Sequence, residues 1–179
     1  MNFLKTHFEN VIKYDLINKF NYKSLKQIPY LKKIVLNIDC NSNSLVSPVT
    51  ALVALNLITA QKAVPVRAKD SIISLNIRKG NPVGCKVTLR NIKMYNFFFN
   101  VLHQVLTNMK YFEGFYLKKK SSTLKTVDFT ISDVFKFKQL EEHYYVFKDL
   151  SPLKVSIVTN SNNLNEFIFL LKSFKLPVS

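Results

Sequence analysis

Several residue types that mark particular classes of protein are scarce in this sequence. There is no tryptophan, and the 179 residues include only 3 glycines and 2 cysteines. A small secreted domain held by disulfides would need more cysteine, so we interpret Cys40 and Cys85 as reduced, buried apolar residues. The sequence also has no apolar run of the roughly 18 residues that a membrane-spanning helix needs. We therefore expect no membrane insertion.

Acidic residues are equally scarce. The chain has 11 Asp and Glu against 26 Lys and Arg, which leaves few carboxylates for acid–base pairs or magnesium sites. His7, His103 and His143 are too scattered for metal-ligand spacing, and no P-loop, GxGxxG, GxSxG or paired CxxC motif occurs. We expect no enzyme activity, no cofactor and no metal site.

The excess of basic residues gives a formal net charge of +15 and an isoelectric point near 9.8. So basic a chain needs a polyanionic partner, which is nucleic acid or an anionic membrane surface. The abundance of Phe, Ile, Leu, Asn, Lys and Tyr suits an AT-rich genome such as that of an organelle. The N-terminal segment has Glu9 and Asp15 but no arginine, unlike a mitochondrial transit peptide, so we interpret it as a helix of the mature protein.

Hydrophobic periodicity predicts helices and strands in turn. Helices are expected at residues 3–19, from Pro48 to about Thr59, at 92–108 and from Leu164 onward, with strands at 33–39, 126–131 and 154–159 and a loose basic stretch at 117–125. These elements predict an α+β fold with a mainly antiparallel sheet of four to five strands, helices on one face and RNA on the other. We expect a single domain over 1–179, with the N-terminal helix 3–19 and a sheet-and-helix body at 30–176.

Residues 71–90 predict a β-hairpin with one apolar and one polar face. Its loop is the run KGNPVG at 79–84, and its polar face contains two arginines, a lysine and no acid. Lysine and arginine neutralise phosphates, and short polar side chains can reach the ribose 2′-OH. The open alternative is a merely solvated sheet face. With the high net charge, we favour RNA binding.

Four blocks of the sequence then resemble a known family. They are FNYKSLKQIPYLKKIVLN (20–37), LITAQKAVPVRAKDSI (57–72), IRKGNPVGCKVTLR (77–90) and KVSIVTNSNNLNEFIFLLKSFKLP (154–177). In this order they resemble the universal large-subunit ribosomal protein that binds 5S rRNA, the fifth of the large-subunit series. The resemblance implies an α+β protein whose sheet face docks on 5S rRNA in the central protuberance.

The resemblance and the polar face together define the expected site residues. The predicted RNA-binding residues are Asn37, Gln61, Lys62, Arg67, Lys69, Ser74, Asn76, Lys86, Thr88, Arg90 and Lys154. The predicted loop near peptidyl-site tRNA consists of Arg78, Lys79, Gly80, Asn81, Pro82, Val83 and Gly84. The implied partners are 5S rRNA and large-subunit rRNA, peptidyl-site tRNA, a small-subunit head protein across an intersubunit bridge, and neighbouring large-subunit proteins.

The chain departs from the family's pattern at several positions. Ala60 and Ala63 flank Gln-Lys where the family usually has Gly-Gln-Lys-Pro, and Asn91 replaces a usual glycine. Asp39-Cys40-Asn41 replaces a glycine-rich end of the first strand, and Lys154 stands where an acid is usual. This drift and the biased composition favour an organelle-encoded, mitochondrial protein over a plastid or bacterial one.

Two alternatives to a ribosomal protein stay open at this point. A free RNA-binding module or RNA chaperone would share the basic face but leave a soluble pool with little rRNA specificity. A basic peripheral membrane protein is favoured only by the amphipathic N-terminal helix.

Overall fold

The computed structural model describes residues 3–40, 46–109, 114 and 125–178, apart from the side chain of Leu75. Its α-helices are α1 (Phe3–His7), α2 (Lys13–Lys19), α3 (Val46–Thr59), α4 (Asn91–Asn100), α5 (Lys138–Glu141), α6 (Tyr144–Phe147) and α7 (Leu164–Ser173). Its strands are β1 (Leu31–Asp39), β2 (Val64–Arg67), β3 (Pro82–Leu89), β4 (Thr126–Ile131) and β5 (Leu153–Thr159). The π-helical segments Phe8–Ile12 and Val101–Leu106 join α1 to α2 and extend α4.

The five strands form one sheet in the order β2-β3-β1-β5-β4. β2 pairs antiparallel with β3, with Pro65 opposite Cys85. Three further backbone hydrogen bonds join the end of one strand to the start of its neighbour: Cys40 N–H to Val83 O (2.9 Å), Thr159 N–H to Lys125 O (2.8 Å) and Asn160 N–H to Tyr30 O (3.0 Å). The sheet is therefore antiparallel, which confirms the predicted α+β class.

Burial alternates along the strands, as expected for a sheet with one covered face. In β1, Ile34, Leu36 and Ile38 are at most 1% exposed, while Asn37 is half-buried and Asp39 exposed. The same period holds in β3, β4 and β5, where the buried residues are Cys85, Val87, Leu89, Val127, Phe129, Ile131, Leu153, Val155 and Ile157. Each large aliphatic side chain buried in this way contributes about 1.5–3 kcal/mol.

Contacts divide the chain into two compact units. The first takes its residues from Met1–Ile34, Arg90–Val127 and Ser156–Ser179. In its core, Phe174 stacks on Phe8 with ring centroids 5.9 Å apart and meets Phe98 edge-on at 5.6 Å. Aromatic pairs in these arrangements stabilise beyond the area they bury, so the end of the chain is anchored among the helices of this unit.

The second unit takes its residues from Val35–Leu89 and Asp128–Val155. Within it α3 packs on β3 and also contacts β2, α5 and α6. The covered side of α3 is built largely from small and aliphatic residues, namely Pro48, Ala51, Ala54, Leu55 and Ile58. Small side chains let the helix approach the strand closely, and the Cys85 thiol donates to the Pro48 carbonyl at 3.4 Å.

The predicted hairpin over 71–90 is wrong in its first arm. Residues Ile73–Leu75 form a short 3-10 turn, only Ile72 and Ile77 form a bridge, and Ile73 is 92% exposed. The strand that pairs with β3 is instead β2, which periodicity did not predict because it has only four residues and includes a proline. The second arm is confirmed, although β3 begins at Pro82, inside the predicted loop.

The other predicted elements are confirmed with small shifts of boundary. The short helices α5 and α6 and the 3-10 turn Val134–Lys136 were missed, because elements of three or four residues are too short to show a period. Residues 117–124 of the predicted basic stretch lie outside the described residues. The single domain over 1–179 stays a prediction.

Candidate nucleic-acid interface

In the second unit, the less covered face of the sheet presents polar side chains from three neighbouring strands. Asn37 and Asp39 come from β1, Lys86 and Thr88 from β3, and Lys154 from β5. Asp39, Lys86 and Lys154 are exposed, and Asn37 and Thr88 are half-buried. They share a face because they alternate with the buried residues of the same strands. The surface offers two ammonium groups, one carboxylate and short hydrogen-bonding side chains.

A chain of polar contacts links the side chains of β1 and β5. The Asn37 amide donates to Asp39 Oδ1 at 3.0 Å, and Lys154 forms an ion pair with Asp39 Oδ2. Both partners of the ion pair are about half exposed, at 55% and 52%, where such a pair contributes about 0–1 kcal/mol. Its effect on the surface is electrostatic, because the carboxylate offsets the Lys154 charge.

The turn after α3 brings Gln61 to the edge of this surface. Ala60 ends the helix in the left-handed conformation at φ +49°, and its N–H donates to the Asn56 carbonyl at 2.9 Å. This reversal lets Gln61 Nε2 donate to the Thr88 carbonyl at 3.0 Å. The contact accounts for one amide hydrogen of Gln61. Its amide oxygen can accept from a ribose hydroxyl or a base.

The connection between β2 and β3 is closed at its base by backbone hydrogen bonds. The Ala68 N–H donates to the Asn81 carbonyl at 2.9 Å, and the Gly80 N–H donates to the Ala68 carbonyl at 3.0 Å. Beyond this base, the Lys79 N–H donates to Ser71 Oγ at 3.0 Å. The exposed cations of the loop and its base are Arg67, Lys69, Arg78 and Lys79.

The structure brings only part of the predicted site together. Asn37, Gln61, Thr88, Lys86 and Lys154 lie on or beside the sheet face of the second unit. Ser74 and Asn76 do not: they belong to the turn at the loop tip, and Asn76 is left-handed at φ +53°. Their placement on the sheet face was wrong because residues 73–77 are not a strand.

The remaining predicted residues fall into three places. Arg67, Lys69, Arg78, Lys79, Gly80 and Asn81 belong to the loop or its base, whereas Pro82, Val83 and Gly84 begin β3. Lys62 is exposed directly after Gln61. Arg90 is exposed at the start of α4, in the first unit.

Sequence reasoning missed the part played by Asp39. Its carboxylate lies between an amide and an ammonium group, whereas the residues predicted for the RNA-binding face included no acid. The alternation of apolar and polar residues in 33–39 predicted that Asp39 faces away from the core, so the sequence did indicate its exposure. What could not be read from the sequence was the pairing of β1 with β5, which brings residues 39 and 154 together.

Both cysteines are free thiols of the second unit. Burial, followed by the neighbouring Cys40, raises the pKa of Cys85 to about 12, and burial also raises the pKa of Cys40. Among the described residues, no group of three His, Cys, Asp or Glu side chains is arranged to hold a metal ion. In the same part of the chain, no helix is both long and apolar enough to cross a bilayer.

Comparison with protein families gives a match over more than half of the chain. Residues 82–178 match the model that describes the C-terminus of the ribosomal L5 family. The matched region begins with β3 and includes β4, β5 and the helices that follow them.

Individual relatives match over nearly the full length. A protein named large ribosomal subunit protein uL5m from Reclinomonas americana is 34% identical over 100% of this chain and 99% of its own length. One named uL5 from Borreliella afzelii is 35% identical over 98% of this chain and 96% of its own. One named uL5c from Oedogonium cardiacum is 32% identical over 97% and 96%. Mitochondrial, bacterial and plastid relatives are thus all similar to it.

Proposed function

Because this chain belongs to the ribosomal L5 protein family, we propose that it is a non-catalytic structural component of the large ribosomal subunit. In this proposal its sheet face binds 5S rRNA, or a divergent equivalent, in the central protuberance. The observation that carries the proposal is the surface formed by Asn37, Lys86, Thr88 and Lys154 on a chain with net charge +15.

Each group on this surface suits a particular part of an RNA helix. Lys86 and Lys62 are exposed cations that can neutralise phosphates and release counterions. Asn37, Thr88 and the Gln61 oxygen are short polar groups that can address riboses in the wide minor groove. No described aromatic ring belongs to this set, which favours recognition of folded RNA by shape over stacking on splayed bases.

The loop between β2 and β3 supports a second RNA contact. Its cations Arg78 and Lys79 are exposed beyond a base closed by hydrogen bonds, so the loop can project charge at a defined distance from the sheet. We propose that this loop approaches the elbow of tRNA in the peptidyl site.

The proposal extends to protein partners and to location. A small-subunit head protein across an intersubunit bridge, and neighbouring large-subunit proteins, are the proposed protein contacts. The uL5m relative and the AT-biased composition support a mitochondrial ribosome.

Crosslinking of the chain to RNA in purified ribosomal particles, followed by sequencing of the attached RNA, tests the proposal. We expect the chain to sediment with large subunits and its crosslinks to map to 5S rRNA or an equivalent short domain. A mostly soluble pool with crosslinks scattered over many RNAs would instead identify a free RNA-binding module or chaperone.

A double variant separates RNA binding from folding. Lys86→Ala with Arg90→Ala removes two exposed cations, so RNA affinity should fall roughly ten-fold or more at about 0.1 M salt, and the salt dependence should become shallower. The thermal transition should stay unchanged. Loss of that transition would show that these side chains support the fold, and would contradict their assignment to the interface.

A further inference from the structure

Helix α3 carries an exposed apolar stripe on the side opposite its covered face. The stripe consists of Val46, Val49, Val53 and Leu57, whose exposed fractions range from 69% to 41%. Spacings of three, four and four residues place all four on one side of the helix. A helix packed against a sheet ordinarily turns charged or polar residues outward, so this side has the composition of a covered surface.

The helix and the segments on either side of it contain no charge. From Cys40 to Gln61 there is no Asp, Glu, Lys, Arg or His, in a chain with 26 Lys and Arg. A surface that binds a phosphate backbone needs cations, and helices that lie on membranes combine basic residues with aromatic anchors. The stripe has neither. Charge depletion is instead typical of the core of a protein–protein interface.

We propose that the α3 stripe (Val46, Val49, Val53 and Leu57) docks against the apolar face of a helix from a neighbouring protein in the same ribonucleoprotein particle. The 14 residues of α3 make a rod about 21 Å long. Side chains at three- and four-residue spacing form the ridges that pack into the grooves of a second helix. The inference rests on the proposed ribosomal role, because that role supplies the particle.

The size of the stripe favours a neighbour in the particle over a second copy of this chain. Four aliphatic side chains expose only a few hundred Å² of apolar surface, about the size of the largest apolar patch on a typical monomer. A stable pair of free proteins buries about 800 Å² on each partner. Partners already held by shared RNA meet at a high effective concentration, so a small apolar contact suffices.

Site-specific photocrosslinking tests the docking. The full chain with p-benzoylphenylalanine in place of Val53 is assembled into large particles, isolated by sedimentation and irradiated. We expect the probe to attach to one protein, at a peptide with apolar residues at helical spacing. The matched control places the probe at Val11, a valine 44% exposed in the first unit, and should not label that peptide. Labelling of rRNA, lipid or a second copy, or no labelling, overturns the inference.

Charged substitutions on the stripe give the second readout. Val49→Glu with Val53→Glu should lower the yield of the identified crosslink, probed from Leu57, at least ten-fold, while Val11→Glu should not. Val49→Gln with Val53→Gln keeps the measurement decisive if the acidic pair unfolds. A chain absent from large particles overturns the proposed function together with this inference. A chain that is present, with an undiminished crosslink, overturns the docking alone.

Discussion

Lys154 in β5 and Asp39 in β1 form an ion pair across neighbouring strands. Both residues depart from the pattern of the family that the sequence resembles. Lys154 stands where an acid is usual, and Asp39 stands where the end of the first strand is usually rich in glycine. The structure shows that the two departures meet. The surface therefore holds one carboxylate, on β1, beside one ammonium group, on β5.

The first prediction concerns the direction in which RNA affinity changes when the Asp39 carboxylate is neutralised. Asp39→Asn frees the Lys154 ammonium group for a phosphate, so RNA affinity should rise about two- to five-fold at 0.1 M salt, with a steeper salt dependence. The stability change should stay within about 1 kcal/mol, because the pair is exposed. Filter binding across a salt series measures the affinity and its salt dependence, and urea unfolding measures the stability.

The matched control is Asp149→Asn, which makes the same charge change at another exposed position of the second unit. Its effect on affinity should be smaller than that of Asp39→Asn. Equal gains from the two variants would show that only the net charge matters, and would contradict a local role for the ion pair.

The second prediction concerns backbone strain at Ala60. It ends α3 at φ +49°, a conformation that costs an alanine about 1–2 kcal/mol and glycine almost nothing. Ala60→Gly should therefore stabilise the protein by about 0.5–1 kcal/mol after the entropy cost of glycine is subtracted. Urea unfolding measures the change, and Ala54→Gly, inside the same helix, should lose at least about 1 kcal/mol. A destabilised Ala60→Gly variant would refute the strain.

The same backbone feature shows how far the sequence predicted the site. Both positions where glycine is usual in the family, Ala60 and Asn91, are left-handed here, at φ +49° and +50°. Glycine adopts this conformation at little cost, and asparagine tolerates it better than alanine. The family resemblance predicted Gln61 as an RNA-binding residue, and the turn at Ala60 places its side chain beside Thr88.

Hydrophobic periodicity could not predict other parts of the fold. Long amphipathic elements such as α7 and β4 repeat their pattern often enough to be predicted. The run 71–78 alternates as a strand does, yet Ile73 is 92% exposed, because the partner that β3 needs is supplied by β2. Which strands pair is a property of the tertiary structure, and the alternation of one segment does not contain it.

The third prediction concerns the contact between β3 and β1. A Cβ added at Gly84 would lie 3.0 Å from the Ile38 carbonyl oxygen and 3.7 Å from the Asp39 Cα. Because these are backbone atoms of a central strand, Gly84→Ala should destabilise the protein by about 1–3 kcal/mol. Lys86→Ala, an exposed position on the same strand, should stay within about 0.5 kcal/mol. If Gly84→Ala and the wild-type protein unfolded at the same urea concentration, β3 and β1 could move apart at no cost in free energy.

The fourth prediction concerns alkaline pH. Burial, followed by the negative charge of Glu9, raises the pKa of Tyr95 to about 12. The unfolded phenol ionises near 10, so above that pH the unfolded state loses its proton first. The resulting loss of unfolding free energy grows between about pH 10 and 12 and is absent below that window. Thermal unfolding from pH 8 to 11 measures it.

Tyr95→Phe should make this alkaline loss smaller, because the substituted ring has no proton to release. Tyr145→Phe is the control, since that side chain is 89% exposed. It should keep the wild-type dependence. A Tyr95→Phe variant with an unaltered pH profile would assign the alkaline loss to other groups.

Pro65, exposed in the edge strand β2, has no N–H to offer an incoming strand. A second copy of the chain that approached this edge would find one backbone donor fewer, so β2 is a poor template for intermolecular strand pairing. A single proline at the edge of the sheet thus lowers the tendency of the chain to aggregate through that strand.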